Sequence, residues 1–375
     1  MSVRKRVWTT AKGEAREAWV VDYTDRDGDR HIESFSKKRD AYARHAEIDV
    51  AVRANVHVAK GKSKTVAEAG EIWVEAAELE GLERSTVESY RAHLRLHIVP
   101  ALGRVKLSDL SRADVIAFKD HLRKNRMSDA MVRKVVGSLG TLIAEAEDRN
   151  LVARNVVRGI NRKRRKVEER QTSKLKVGVD IPAPNEVSAI LAAAAGRWRP
   201  LFLVAAFTGL RASELRGLTW ANVDLKANEL HVTQRADKYN VIGKPKSKAG
   251  DRVVPFGPIV ANTLKEWKLA CPKGDLNLVF PTGKGNIEAL PNILTRGFIP
   301  TVVKALGSPK YTGLHCLRHF YASWCIDRGL QAKVIQERLG HSTITETFDA
   351  YGHLFPRADD GKEIAEAELK LMNAT

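Results

Sequence analysis

The sequence predicts a multidomain, mainly α chain, with a small α+β module first, a helical bundle next, and a mixed α/β domain, mostly α, in the C-terminal half. Three observations carry this. Over residues 65–158 apolar residues recur at helical spacing behind Ser or Thr caps. Before residue 57 the pattern alternates at period two around an Asp-Gly turn. After residue 182 helical runs are broken by short β-like stretches, and a run of cations separates the two halves. At 375 residues the chain has room for two or three domains of roughly 100–200 residues each.

Residues 4–9, 18–23 and 31–35 read as three short strands, the last two joined by DRDGD, whose Asp27-Gly28 is a hairpin turn signal. Ser36 then caps a helix over residues 37–54. A module of residues 1–57 is too small for a sizeable core, so it reads as an accessory binding element or a stabilising extension. A basic stretch at 60–64 links it to the bundle of residues 65–158, where Thr65, Ser85, Ser111 and Ser128 each open a helix. Its polar faces carry Arg91, Arg95, Arg123, Lys124 and Arg133, suited to gripping DNA or simply to solvation.

Residues 159–181 read as a basic linker, with consecutive cations at 162–166 and no apolar period. Beyond it come a helix over 183–196 and a strongly apolar helix over 198–207 that stops at Thr208-Gly209. Arg211 follows at the start of a further helix, so its side chain stands at a turn. Strands are expected at 223–225, 230–233 and 252–256, the last two joined by a loop bearing Lys244, Lys246 and Lys248. Helices near 258–270 and 291–305 read as packing elements.

The formal net charge of +18 is spread along the whole chain, which points to a polyanionic partner, nucleic acid first. The cysteines, Cys271, Cys316 and Cys325, are too few and irregular for a disulfide framework or a Cys-based zinc site, and read as reduced thiols. The N-terminus lacks the apolar core of a signal peptide, and no window approaches the roughly 18 apolar residues of a membrane span. A soluble cytoplasmic protein without a membrane partner is expected.

Chemistry-bearing residues concentrate in residues 313–354. His315 and Arg318 are i and i+3 on a helix and point the same way. Gly340 stops the amphipathic run 332–339, which leaves His341 projecting from a helix end. Tyr351 lies behind a polar segment and beside Gly352, an unusual place for a core tyrosine. His315 and His319 also have the i, i+4 spacing of zinc-protease ligands, but Cys316 stands where that motif has Glu, and the Arg318 guanidinium would repel a metal.

Together TGLRASEL (208–215), PKSKAGDRVVP (245–255), HCLRH (315–319), LGHS (339–342) and Tyr351, in this order, resemble the tyrosine recombinase family, that is, phage-type integrases. By that resemblance residues 1–57 look like an arm-type DNA-binding module, 65–158 like a core-site-binding domain and 182–356 like the catalytic domain, followed by a tail helix at 357–375. The resemblance implies catalytic roles for Arg211, Lys246, His315, Arg318, His341 and Tyr351, with Lys248 the alternative lysine and Glu214 supporting Arg211. The spacing from His341 to Tyr351 resembles the LGHS-to-YGH form of many integrases. No cofactor or metal is implied. The implied partners are double-stranded DNA attachment sites and a homotetramer in the synaptic complex, with a DNA-bending host factor and an excision-promoting factor, in the nucleoid of a bacterial host. The activity implied is integration or excision of a phage or mobile element.

The residue types suit this chemistry in their own right. A phosphodiester under attack gathers charge on its non-bridging oxygens, and two guanidiniums make permanently charged clamps for it. Tyrosine, with a pKa near 10, needs a base or a positive field. His315 is the expected proton acceptor, His341 a hydrogen-bond donor to the phosphate, and Lys246 or Lys248 the acid for the leaving 5′-hydroxyl. Attack by Tyr351 gives a 3′-phosphotyrosyl ester that stores the bond energy for rejoining. The competing readings are a type IB topoisomerase-like enzyme, which does not exchange partners, and a non-catalytic DNA-binding protein.

Overall fold

The computed structural model describes residues 1–10, 13–24, 28–53, 63–160, 174–356 and 362–373. The chain divides into two compact units, Met1–Arg164 and Arg165–Thr375, so the N-terminal module and the bundle belong to one unit. Among the described residues no helix is long and apolar enough to cross a membrane.

In the first unit, strands β1 (Ser2–Thr9), β2 (Ala15–Thr24) and β3 (Arg30–Phe35) form an antiparallel sheet in sequence order. Alternation decides which side chains turn inward: Val21 and Tyr23 of β2 meet Ala41 and Ile48 of helix α1 (Lys38–Arg53) in a core of few residues. Of the expected β2–β3 turn, Gly28 has the positive φ of 87° that a tight turn requires, while Asp27 lies outside the described residues. The basic stretch at 60–64 likewise falls mostly outside them.

The bundle follows from its caps. Thr65 caps α2 (Val66–Leu79) in a reciprocal box with Glu68, and Ser111 caps α5 (Arg112–Lys124) in the same way with Asp114. Ser128 accepts from Met131 N at the start of α6 (Asp129–Asp148). Ser85 is not a cap: α3 (Arg84–His93) starts at Glu83, whose carbonyl already takes the Thr86 and Val87 amides, so Ser85 lies inside the first turn. The helix then widens into a π turn, Leu94–Ile98, before α4 (Val99–Leu102). Pro100 explains the widening, because it lacks a donor and its ring would crowd the carbonyl four residues back. Trp73 stacks on Tyr90 at 4.3 Å, and the His93 and Ser138 side chains share a hydrogen bond of 2.8 Å between helices.

The second unit begins with residues 174–181, which fold onto their own unit and not as a linker: Ile181 is fully buried, and Lys176 N donates to Asp180 Oδ2 at 2.9 Å. Of the rest of the expected linker, Gly159 and Ile160 still belong to the bundle, Ile160 being buried in its core, and 161–173 lie outside the described residues. Helices α7 (Pro184–Ala193) and α8 (Trp198–Thr208) follow, and α8 is buried almost all round, as its continuous apolar run demands. Gly209 ends it at φ 63°, where an added Cβ would also strike the Tyr321 ring at 2.5 Å. That close approach sets Arg211, at the cap of α9 (Ala212–Gly217), over the helix that carries Tyr321.

Strands β4 (Val223–Asp224), β5 (Glu229–Val232) and β8 (Arg252–Pro255) make a small antiparallel sheet, with Leu230 facing Val254. The loop between β5 and β8 contains an unexpected two-stranded ribbon, β6 (Arg235–Ala236) and β7 (Ile242–Gly243). Buried Arg216 fixes its base by donating to Glu288 O at 2.6 Å, to Asp237 O at 2.9 Å and to Asn240 Oδ1. After α10 (Pro258–Ala270) the helical stretch 290–306 comprises α11 (Leu290–Asn292), a second π turn, Ile293–Phe298, and α12 (Ile299–Leu306), which carries Pro300 just as α4 carries Pro100. Helices α13 (His315–Asp327), α14 (Ala332–Leu339) and α15 (Ile344–Tyr351) complete the unit, and α16 (Lys362–Met372) follows with Leu369, Leu371 and Met372 exposed.

Candidate active site

Each element delivers one or two of the expected side chains to the same place. Arg318 projects from the first turn of α13 and is 2% exposed. It donates to Gly209 O at 2.8 Å and to Leu339 O at 2.7 Å. Both acceptors are neutral carbonyls, so among the described residues no carboxylate bonds directly to the buried guanidinium. Burial, together with the charge of Arg211, lowers its pKa. A buried cation without a bonded counter-ion is a site awaiting an anion.

Arg211 donates to Gly340 O at 3.1 Å and to Glu214 Oε1 at 2.9 Å. Glu214, 3% exposed, is no surface charge. Its carboxylate also takes Arg252 at 3.2 Å and 2.9 Å and the Arg211 amide at 2.8 Å. Burial alone would raise its pKa, but the Arg252 hydrogen bonds and charge outweigh that and lower it. Sequence reading missed Arg252. Its Nε also donates to Arg338 O at 2.7 Å and its Nη1 to Gly250 O at 3.0 Å, so one side chain ties α9, the lysine-bearing loop and the end of α14 together. A Cβ on Gly340, whose φ is 65°, would meet Ala249 O at 2.8 Å; the loop leans directly on the turn that presents His341.

His341 is half-buried and shares a hydrogen bond of 2.9 Å between Nδ1 and Thr347 Oγ1. Burial, with Arg318, Arg211 and Arg252 nearby, lowers its pKa to about 4. Its ring lies parallel to that of Tyr351 with centroids 6.5 Å apart.

Tyr351 departs most from expectation. It is a core residue, 1% exposed, packed with Tyr321, Cys325, Ile335 and Leu339. The polar residues before it hid this, since its packing partners come from α13 and α14. Burial raises its pKa to about 12, against the opposing pull of Arg318 and Arg211. Its hydroxyl shares a hydrogen bond with His319 Nδ1 at 2.8 Å, so the direct neighbour is His319 and not His315. His315 is exposed and stands edge-on to His319 with centroids 4.5 Å apart. Loss of hydration first, then the charges of His319, Arg318 and Arg211, lower its pKa.

Arg211, Arg318, His315, His341 and Tyr351 thus surround one point, with Glu214 behind them. Lys246 and Lys248 are exposed on the loop before β8, with Lys248 opening the turn Lys248–Gly250 that carries Ala249. In the first unit all five bundle cations are exposed, and Arg91 and Arg123 are paired with Glu78 at 2.6 Å and Asp129 at 3.3 Å.

Residues 183–357 match the Phage integrase family, and residues 65–123 match the SAM-like N-terminal domain of phage integrases. A tyrosine recombinase XerC-like protein of Caldanaerobacter subterraneus subsp. tengcongensis is 28% identical over 299 residues, covering 73% of this chain and 75% of that protein. The Tn1549 transposon integrase in complex with transposon right end DNA superposes with a TM-score of 0.66 at 20% identity, over 82% of this chain and 99% of that one. A lambda integrase tetramer bound to a Holliday junction gives a TM-score of 0.58 at 16% identity, over 94% and 98%.

Proposed function

Because the chain belongs to the tyrosine recombinase family of phage-type integrases, we propose that its site-specific recombination runs through Tyr351 as the nucleophile. The observation that carries this is Arg318, a buried guanidinium whose hydrogen-bond partners among the described residues are carbonyl oxygens, with Arg211 and the Tyr351 hydroxyl beside it. A scissile phosphate seated on the two arginines supplies the missing negative charge, and the guanidiniums hold its non-bridging oxygens as charge grows on them.

Tyr351 attacks phosphorus and forms the 3′-phosphotyrosyl ester, and the 5′-hydroxyl leaves with a proton from Lys246 or Lys248. His341, neutral at pH 7, donates a hydrogen bond to the phosphate. Glu214 and Arg252 hold Arg211 and the loop in place. Reversal with another strand's 5′-hydroxyl exchanges partners, so the substrates are double-stranded attachment sites of a phage or other mobile element. Two duplexes exchanging four strands call for four protomers, consistent with the tetrameric assembly of the lambda integrase neighbour. A DNA-bending host factor and an excision-promoting factor fit the same reading, with the nucleoid of a bacterial host as the setting and residues 1–57 and 65–158 as DNA-binding modules. The exposed apolar edge of α16 suits packing on a neighbouring protomer.

The test is a nicked suicide duplex incubated with wild-type and Tyr351→Phe protein in EDTA and resolved on a denaturing gel. A covalent protein–DNA adduct with wild type only is expected. No adduct on DNA that the protein binds specifically would instead favour a non-catalytic DNA-binding protein, and relaxation of supercoils without sequence preference a topoisomerase-like enzyme.

A further inference from the structure

We propose that His319 is a catalytic residue, the group that takes the proton from Tyr351 as the phosphotyrosyl bond forms and returns it when the strand is rejoined. The inference rests on Tyr351 being the nucleophile. Three features of the geometry lead to it.

First, His319 Nδ1 lies 2.8 Å from the Tyr351 oxygen, while the other histidine of the pair, His315, reaches Tyr351 only across the His319 ring. General bases act over one hydrogen bond or through one bridging water, and the direct contact is the one His319 makes. Second, both partners are held. His319 lies on α13 one residue after buried Arg318, and Tyr351 ends α15 in an apolar cluster with Tyr321 and Cys325 of α13, so the contact is not a chance meeting of flexible side chains. Third, the groups facing the imidazole keep it neutral and able to accept. On its own helix these are His315 and Arg318. From other elements they are Tyr351 and, beyond its ring, His341; Asp180 contributes the one opposing negative charge. Burial and the Arg318 charge lower its pKa from the ordinary histidine value, with Asp180 limiting the fall.

The step balances. The phenolic O–H bond breaks and its proton passes to Nδ1, making an imidazolium, while the tyrosine oxygen bonds to phosphorus. The bond from phosphorus to the 5′ oxygen breaks, and that oxygen takes a proton from the loop lysine. In rejoining, the 5′-hydroxyl attacks and gives its proton to the lysine amine, and the imidazolium reprotonates the departing Tyr351. His315, exposed beside His319, is left for the incoming phosphate.

The experiment uses the full chain and a nicked suicide duplex whose core has been selected from a randomised pool by covalent capture on wild-type protein. Adduct formation is followed against pH for wild type, His319→Asn, His315→Asn and Tyr351→Phe. Asparagine can keep the hydrogen bond of Nδ1 but cannot carry the proton, so a merely structural role survives the change. His319→Asn is expected to bind the duplex with wild-type affinity, to form adduct about 10²–10⁴-fold more slowly, and to lose the break at which the wild-type rate levels off on the acidic side, its rate instead rising with pH without a plateau. That loss, whether or not His315→Asn shares it, supports the proposal. A break that persists at the wild-type pH in His319→Asn overturns it. If His319→Asn folds poorly, His319→Gln is read by the same criterion. Adduct from Tyr351→Phe would mean that the nucleophile itself is misassigned, which is a separate failure.

Discussion

The guanidinium and tyrosine side of the site and the lysine loop facing it are built by opposite means. Arg318, Glu214 and Tyr351 are 2%, 3% and 1% exposed, and carbonyls, a shared carboxylate and an apolar cluster fix their positions. Lys246 and Lys248 stand exposed on a loop that Arg216 holds beneath the β6–β7 ribbon and Arg252 holds beside Gly250. The difference matches the role proposed for each group. Stabilising a charge is best done by cations that need no rearrangement when the charge appears. Donating a proton to a leaving group requires reach, and a lysine on an exposed loop keeps it.

The largest effect that sharpens this contrast is on chemistry without stability. Lys246→Ala is expected to slow cleavage about 10²–10⁴-fold while changing stability by no more than about 0.5 kcal/mol, as for an exposed substitution. Lys248→Ala should cleave at the wild-type rate. Replacing the leaving 5′ oxygen by sulfur should restore Lys246→Ala, because a thiolate leaves without a proton. The reverse pattern assigns the acid to Lys248, and a wild-type rate from both variants removes the lysine from the step.

The next effect runs the other way, through stability. Glu214→Gln leaves the Arg252 guanidinium, itself 6% exposed, beside a neutral amide. Removing one charge of a buried, hydrogen-bonded pair is expected to cost about 2–4 kcal/mol in denaturant unfolding. Glu214→Gln combined with Arg252→Met should cost less than the sum of the two single changes, since they share one interaction. Additive costs would show that the carboxylate does not join α9 to the loop.

What the sequence revealed, and what it did not, divides along similar physical lines. Capping is local, so Thr65, Ser111 and Ser128 could be read directly; Ser36 was misread, since α1 begins only at Lys38, and Ser85 lies two residues past the true cap position, Glu83. The widened turns before Pro100 and Pro300 were missed because period alone does not register one extra residue per turn, although the prolines marked the places. In the site, Arg211, Arg318, His341 and Tyr351 stood out by type and spacing. Arg252 did not, because its partner Glu214 is 38 residues away and nothing near Arg252 announces a buried ion pair. His319 was weighed only as a metal ligand, since its contact with Tyr351 spans 32 residues. The burial of Tyr351 was hidden in the same way.

The smallest effect tests whether the enclosed side of the site is as well shielded as its packing indicates. His341 has a folded-state pKa of about 4, below the ordinary value near 6.5 that it regains on unfolding. Between those limits the unfolded chain binds more protons than the folded one, so stability is complete above about pH 6.5 and falls as pH drops toward 4. Allowing for the partial solvent access of a half-buried ring, His341 accounts for about 1–2 kcal/mol of that fall. Asparagine can replace the Nδ1 hydrogen bond to Thr347 but does not titrate. The His341→Asn variant, unfolded by urea at a series of pH values, should therefore lose stability less steeply than wild type across this window and match its slope above it. Equal slopes throughout would mean that the ring titrates in the folded state as it does unfolded, and that the three guanidiniums around it are screened far more than their burial implies.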